Sequence, residues 1–242
     1  MMSNQEFLSK ILDSFKSFVT IGTSRSTAKL KPLHGAIARD IANRLGSNYL
    51  IKSQGYGDDK EACITGRYVN KRVDITIIDR IQAKPVAGVA VKFVMQNYSQ
   101  NSVNYFENML GETANIRTAN CPYFQLFIVL DQLPYYDEQG IIKRWEEFTD
   151  HNIAKYCILS CDDTDAYYHT PNKTLIYAVH MSPDINENVV KTKSQYLKHF
   201  RDNIPTIRLT AHNYPDIKQE GTVIINDYEK FIDKVYHTIM AR

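Results

Sequence analysis

The chain has four cysteines, one tryptophan and no long apolar run among its 242 residues. Cys63, Cys121, Cys157 and Cys161 are scattered, and the closest pair has no companion Cys or His cluster. That spacing excludes a zinc site and a disulfide framework and predicts buried thiols in a reducing compartment. The opening MMSNQEFLSKILDSF has no basic segment followed by an apolar stretch, and no later stretch approaches the length that crosses a bilayer. The expectation is a soluble cytoplasmic protein with no membrane partner. Also missing are a phosphate-cradling glycine loop, since Gly55 and Gly57 are too little, and a GxSxG nucleophile elbow. His151, His169, His180, His199, His212 and His237 fall in no metal-binding pattern. Charge of one sign is absent too: 29 Lys and Arg against 27 Asp and Glu give +2, so any surface for nucleic acid must be a local concentration of cations.

What is present is the composition of a folded domain, 43% hydrophobic and 23% charged, with sixteen tyrosines and ten phenylalanines. No repeat, low-complexity tract or interdomain linker divides it. A single domain, 1–242, is expected, with N-terminal helices over 1–48, a core over about 49–160 and an extension over about 161–242 for recognition or dimer contacts.

Phe7, Ile11, Leu12, Phe15 and Val19 recur near a 3.6-residue period and predict a first amphipathic helix. Residues 22–31 read as a connection. Ile37, Ile41 and Leu45, stopped by Gly46, predict a second helix. From Tyr49 the pattern changes to a bent strand or hairpin that ends in a strong strand over about 72–78. AGVAVKFVM follows after a short turn, so the two strands are antiparallel neighbours. A helix over 99–117 comes next, its sheet-facing side marked by Val103, Phe106, Leu110 and Thr113. At 100° per residue Glu107 falls at the edge of that side and Glu112 well round toward solvent. YFQLFIVL, at 123–130, has the near-continuous apolarity of a central strand. Beyond it, 133–140 reads as a loop, 143–153 as including a short helix, KYCILS and TLIYAVH as strands, and 189–200 and 228–240 as helices. The fold class is α/β, a central mixed sheet flanked by helices.

One constellation carries chemistry. Lys92 sits within GVAVKFVM, whose neighbours demand burial, and a buried ammonium needs compensation or a use. Asp74 on the adjacent strand supplies a carboxylate, and Glu107 lies on the following helix. Carboxylates that hold Mg²⁺ beside a lysine suit metal-assisted phosphodiester hydrolysis.

In this order of elements the chain resembles the PD-(D/E)XK nuclease superfamily, most closely its type II restriction endonucleases. The resemblance covers about residues 35–130 and rests on short motifs: Asp74 at the start of one core strand, Lys92 on the next, then the helix and the strand YFQLFIVL. Val73 replaces the usual proline, which is no metal ligand. Ala90 stands at the second acidic position, two residues before Lys92, and cannot coordinate a cation. Three accounts of Ala90 are open: migration of the ligand to Glu107, an introduced inactivating change, or natural inactivity.

The resemblance implies a restriction-endonuclease-like core and a homodimeric, Mg²⁺-dependent enzyme that cuts a short palindromic site in double-stranded DNA. Asp74 and Glu107 then hold the metal, with Glu61 or a backbone carbonyl of the strand that carries Lys92, and Lys92 supports the attacking water. Asp58 and Asp59 are nearer a loop, and His34 and Asp40 on the second helix lie over the metal edge of the sheet only if that helix crosses it. Gln96, Asn97, Tyr98, Ser99, Gln100, Asn101 and Asn104 form a polar helix start, suited either to reading DNA or to ordinary capping. Lys71 and Arg72, with Lys29, Lys31 and Arg67, are available for phosphates. The rival readings are a catalytically inactive DNA-binding protein of the same fold and a DNA repair nuclease.

Overall fold

The computed structural model describes residues 1–22, 27–215 and 220–242; part of the connection expected over 22–31 lies outside them. Helix α1 (Asn4–Ile21) starts at a capping box between Ser3 and Glu6 and ends at Gly22, whose φ of 74° closes the last turn. Phe7, Ile11, Phe15 and Val19 of its apolar stripe are buried and Leu12 partly so, with Phe7 stacked on Tyr228 and Phe15 edge-on to Phe200. After a 3-10 turn (Thr27–Leu30), α2 (Lys31–Leu45) begins with a proline in its first turn and stops at Gly46.

Strand β1 (Tyr49–Ser53) leads to a ribbon, β2 (Ala62–Thr65) and β3 (Asn70–Val73), paired only with itself. Then come β4 (Ile75–Asp79), β5 (Lys84–Val94), α3 (Tyr98–Arg117) and β6 (Tyr123–Leu130). A second ribbon, β7 (Gln132–Tyr136) and β8 (Ile142–Glu147), precedes α4 (Asp150–Ser160). The rest is β9 (Lys173–Ser182), α5 (Lys193–Asp202), β10 (Thr206–Leu209), β11 (Val223–Ile225) and α6 (Tyr228–Met240).

The central sheet is mixed, in the order β1-β4-β5-β6-β9-β10, with β11 also on β9. β1, β4 and β5 are antiparallel neighbours, whereas β5, β6 and β9 run parallel, joined by crossovers through helices. Every residue of β6 is buried because helices cover both faces: Phe124 meets Phe231 of α6, and Phe127 meets Tyr98 of α3 and Tyr156 of α4.

Several expectations are corrected. KYCILS is the second half of α4, since a short apolar run suits a buried helix as well as a strand. Residues 132–136 are a strand, and the helix expected over 143–153 begins only at Asp150. Cys63 and Cys161 are exposed and only Cys121 is fully buried. The 161–242 segment contributes β9, the strand next to β6 at the middle of the sheet. No helix among the described residues is long and apolar enough to cross a membrane.

One close approach fixes where α2 sits. Gly35 of α2 lies against Gly55, so near that a Cβ on Gly35 would fall 2.2 Å from the Gly55 carbonyl oxygen. Gly55 itself has φ 75° and no room for a Cβ beside the Lys31 carbonyl. Gly35→Ala is therefore expected to cost about 1–3 kcal/mol of stability, because backbone rather than a flexible side chain must move. Equilibrium urea denaturation measures it, and an unchanged midpoint contradicts the account.

Candidate metal centre

The antiparallel register of β4 with β5 pairs Ile75 with Val89, so Asp74, one residue before β4, reaches the middle of β5. Its Oδ2 accepts a hydrogen bond from the Val91 N–H at 2.8 Å. Ala90 and Lys92 flank Val91 and line the same cleft as Asp74, a cavity of about 400 Å³ that also includes Lys71, Glu112, Tyr123 and Gln125. Burial pushes the Asp74 carboxyl up to about 6; Glu112 adds to the rise, while the Val91 N–H, Lys71 and Lys92 oppose it. Lys92, which its apolar neighbours suggested would be buried, is exposed at the cleft; crowding by the protein lowers its pKa, and Asp74 and Glu112 pull the other way. The Lys92 ammonium stands 4.3 Å from the centre of the Tyr105 ring, a cation–aromatic contact that holds the chain across the cleft.

On the other side of Asp74 stand His34 and Glu61, and the three offer one ligand atom each, all within 4.8 Å of one another. His34 is 3% exposed, and neither ring nitrogen has a hydrogen-bond partner. Two orphaned nitrogens in one buried imidazole are costly unless something else occupies them. Burial lowers His34 to about 4, with Glu61 opposing, so the ring is neutral and free to donate a lone pair near neutral pH. Glu61 is raised by burial and then by Asp74, and it accepts a 2.9 Å hydrogen bond from Gln54 Nε2. Two carboxylates and a neutral imidazole fit a divalent cation, and the nitrogen donor suits a transition ion such as Mn²⁺ better than Mg²⁺, which favours oxygen.

The structure thus brings together Asp74, Lys92 and Glu61, adds His34, and leaves Glu107 out. Glu107 is exposed and does not line the cleft, whereas Glu112 does, ion-paired with Lys71 and accepting from the Tyr123 hydroxyl at 3.4 Å. The reason is the phase of α3. Tyr105, Met109, Glu112 and Ile116 share one stripe, and Val103, used as an inward marker, is 61% exposed. Glu107 lies about 140° round the helix from Glu112.

Much of the polar start of α3 is engaged in contacts within the fold. Tyr98 is 1% exposed and packs edge-on against Phe127 and Phe148. Asn97 accepts from the Tyr136 N–H and donates to its carbonyl, tying α3 to β7. Ser99 is bonded to Glu146 and Arg144, Asn101 donates to the Asn97 carbonyl, and Gln100 accepts from Asn97. Gln96 is half-buried and Asn104 exposed, and neither lines the cleft. Of the cations, Lys71 and Arg72 line the cleft, as does buried Lys29, while Lys31 pairs with Asp59 and Lys52 with Asp58. Asp40 is taken up by Arg44, Tyr228 and the Met2 N–H and is not part of the chelating set.

Gln125 is a further residue that sequence reasoning did not find. It pairs in register with Ala90 on the adjacent strand, is 7% exposed, and its Nε2 has no partner. A buried amide beside the position of the missing acid carries no signal along the sequence, because its relation to Ala90 depends on β5 and β6 being parallel neighbours.

Compared with protein-family models, with curated proteins and with solved structures, the chain matches none of them. The fold and the cleft stand on their own geometry: an α/β protein with a cation-lined cleft and a three-residue set able to chelate a divalent ion.

The raised Asp74 pKa has a sign that can be tested. Its folded value lies above the ordinary 3.8, so ionisation is disfavoured by folding; the cost is absent below about pH 4, grows to about pH 6 and is constant above. Asp74→Asn, which still accepts from Val91, is expected to stabilise the metal-free protein by about 3 kcal/mol at pH 8 and by nothing at pH 3.5. Thermal melts at the two pH values measure it, and a variant destabilised at pH 8 contradicts the assignment.

Proposed function

We propose that the protein is a divalent-metal-dependent nuclease that hydrolyses phosphodiester bonds in double-stranded DNA, in the manner of a type II restriction endonuclease with a restriction-endonuclease-like core. The observation that carries the reading is that Asp74 belongs both to a chelating set, with His34 and Glu61, and to a cleft lined by Lys92 and further cations. His34, Glu61 and Asp74 would hold the ion, which when bound polarises a phosphate oxygen and lowers the pKa of a water. Lys92 donates to the attacking water or to the charge developing at phosphorus, and its contact with Tyr105 fixes the direction of the ammonium. Lys71 and Arg72 hold the flanking phosphates, and Glu112 positions Lys71. Two such subunits, related by a two-fold axis, suit a short palindromic site and cutting of both strands.

A second reading has its own observation. Ala90 removes one acid from the resembled pattern and Gln125, its neighbour across the strands, is neutral, which favours a DNA-binding protein that has lost cleavage.

Incubation of a supercoiled plasmid with Mn²⁺ and with Mg²⁺ separates the two. Discrete fragments are expected from the wild type, more readily with Mn²⁺. Lys92→Ala and Asp74→Ala should each lose about a hundredfold or more in rate. Glu107→Gln should cut like wild type, and Ala90→Glu should improve use of Mg²⁺. Duplex binding without nicking under either cation is the result that favours the second reading.

In titrations with Mn²⁺ alone, His34→Ala should weaken binding by about tenfold to a hundredfold. Unchanged affinity removes His34 from the ligand set.

A further inference from the structure

The ribbon of β2 and β3 stands apart from the central sheet and borders the cleft: Lys71, Arg72 and Val73 of β3 line it directly. Its base is rooted in a small core of its own, in which Ile64 and Val73 pack with Ile116, Cys121 and Tyr123. Its tip is clamped by Asn115 of α3. The Asn115 Oδ1 accepts from the N–H groups of Tyr68 and Val69 at 2.9 and 3.2 Å, its Nδ2 donates to the Val69 carbonyl at 2.9 Å, and its own carbonyl accepts from the Arg67 N–H at 2.8 Å. Gly66 makes this possible, since a Cβ there would fall 2.1 Å from the Asn115 Nδ2.

A buried asparagine that uses its whole amide on one turn holds that turn in a single conformation. What the turn presents is unusual for a rigid tip: Tyr68 is 76% and Val69 61% exposed. The Arg67 guanidinium lies 5.8 Å from the Tyr68 ring, and Arg72 is exposed farther down. Between Ala62 and Val73 there are three cations and no acid. At about 3.3 Å per residue the tip extends roughly 17–20 Å from Asp74, enough to cross a groove of duplex DNA whose phosphate lies in the cleft. A two-stranded ribbon is also of a width that the major groove admits.

We propose that this ribbon is a DNA-contacting arm, in which Arg67 and Arg72 neutralise phosphates and Tyr68 and Val69 enter the groove. The inference rests on the nuclease reading for the identity of the polymer. It relocates recognition from the start of α3, which is occupied in holding the fold, to an element that is rigid, basic and open to solvent.

The test is fluorescence anisotropy of the full chain with a short labelled duplex of random sequence, in Ca²⁺ to prevent cutting, across a range of salt. Arg67→Ala combined with Tyr68→Ala is compared with wild type and with Lys84→Ala, an exposed cation at the far end of β5. The tip variant should bind about tenfold more weakly and show a salt slope smaller by about one, while Lys84→Ala should match wild type. Melting curves check that the exposed tip residues leave the fold intact. If wild type binds and the tip variant binds equally with an equal slope, the arm is wrong and the nuclease reading is untouched. If the tip variant converts a dimer to a monomer in sedimentation, the ribbon is a protein contact and the arm is overturned. If wild type neither binds nor cuts duplex with any of the three cations, both readings fall together.

Discussion

The half-buried carboxylate of Asp74 is the group on which the cleft depends. It is fixed by the Val91 N–H, and among the described residues it is the one side chain that belongs both to the chelating set with His34 and Glu61 and to the cleft with Lys92 and Glu112. Burial makes its charge unfavourable, as its raised pKa records, and the neighbouring acids Glu112 and Glu61 oppose ionisation of the cluster. A folded chain keeps such a group only if the surrounding core overrides the cost, and β6 with helices on both faces is that core. A bound cation would remove the penalty, so the arrangement that is least comfortable without a ligand is the one best prepared for it.

Backbone geometry, more than side-chain attraction, assembles the other half. The contact of Gly35 with Gly55 lets α2 descend on the loop after β1, and the residue before Gly35 is His34. A larger residue at either glycine would lift the helix and withdraw the imidazole from Glu61 and Asp74. The two glycines are twenty residues apart, so neither forms a motif by itself, and their meaning is visible only when the helix and the loop are packed.

That distinction separates what was legible in the chain from what was not. β6 was legible because a strand buried on both faces is a continuous apolar run, and the approach of Asp74 to Lys92 followed from two strands joined by a short turn. The cleft face of α3 was not, because the helix is half-buried along its length and Val103, exposed, set the wrong phase for Glu107 and Glu112. Nor was the role of the polar residues at its start. Asn97, Ser99 and Asn101 have the composition of a reading surface, but that composition is shared with residues that bind backbone and neighbouring side chains. His34 was legible only as a conditional candidate and Gln125 not at all, for a third reason: each acquires its neighbours from a different element of the fold.

The charge of the chain takes on another meaning once these positions are known. The sequence total is close to balance, yet the cleft is lined by four cations, Lys29, Lys71, Arg72 and Lys92, against two carboxylates, Asp74 and Glu112. The ion pair of Glu112 with Lys71 cancels one charge of each sign, so the excess of positive charge in the cleft stands, and it grows only below about pH 6, where Asp74 becomes neutral. Low-dielectric walls, here Phe127, Tyr123 and Tyr156, concentrate such a field along the cleft. On the proposed reading a polyanion is drawn to the cleft before any metal binds, and the metal then has to satisfy only the buried His34 and the half-buried Glu61 and Asp74. That reading assigns attraction of the polymer and activation of water to different residues, so a chain of almost no net charge could serve both.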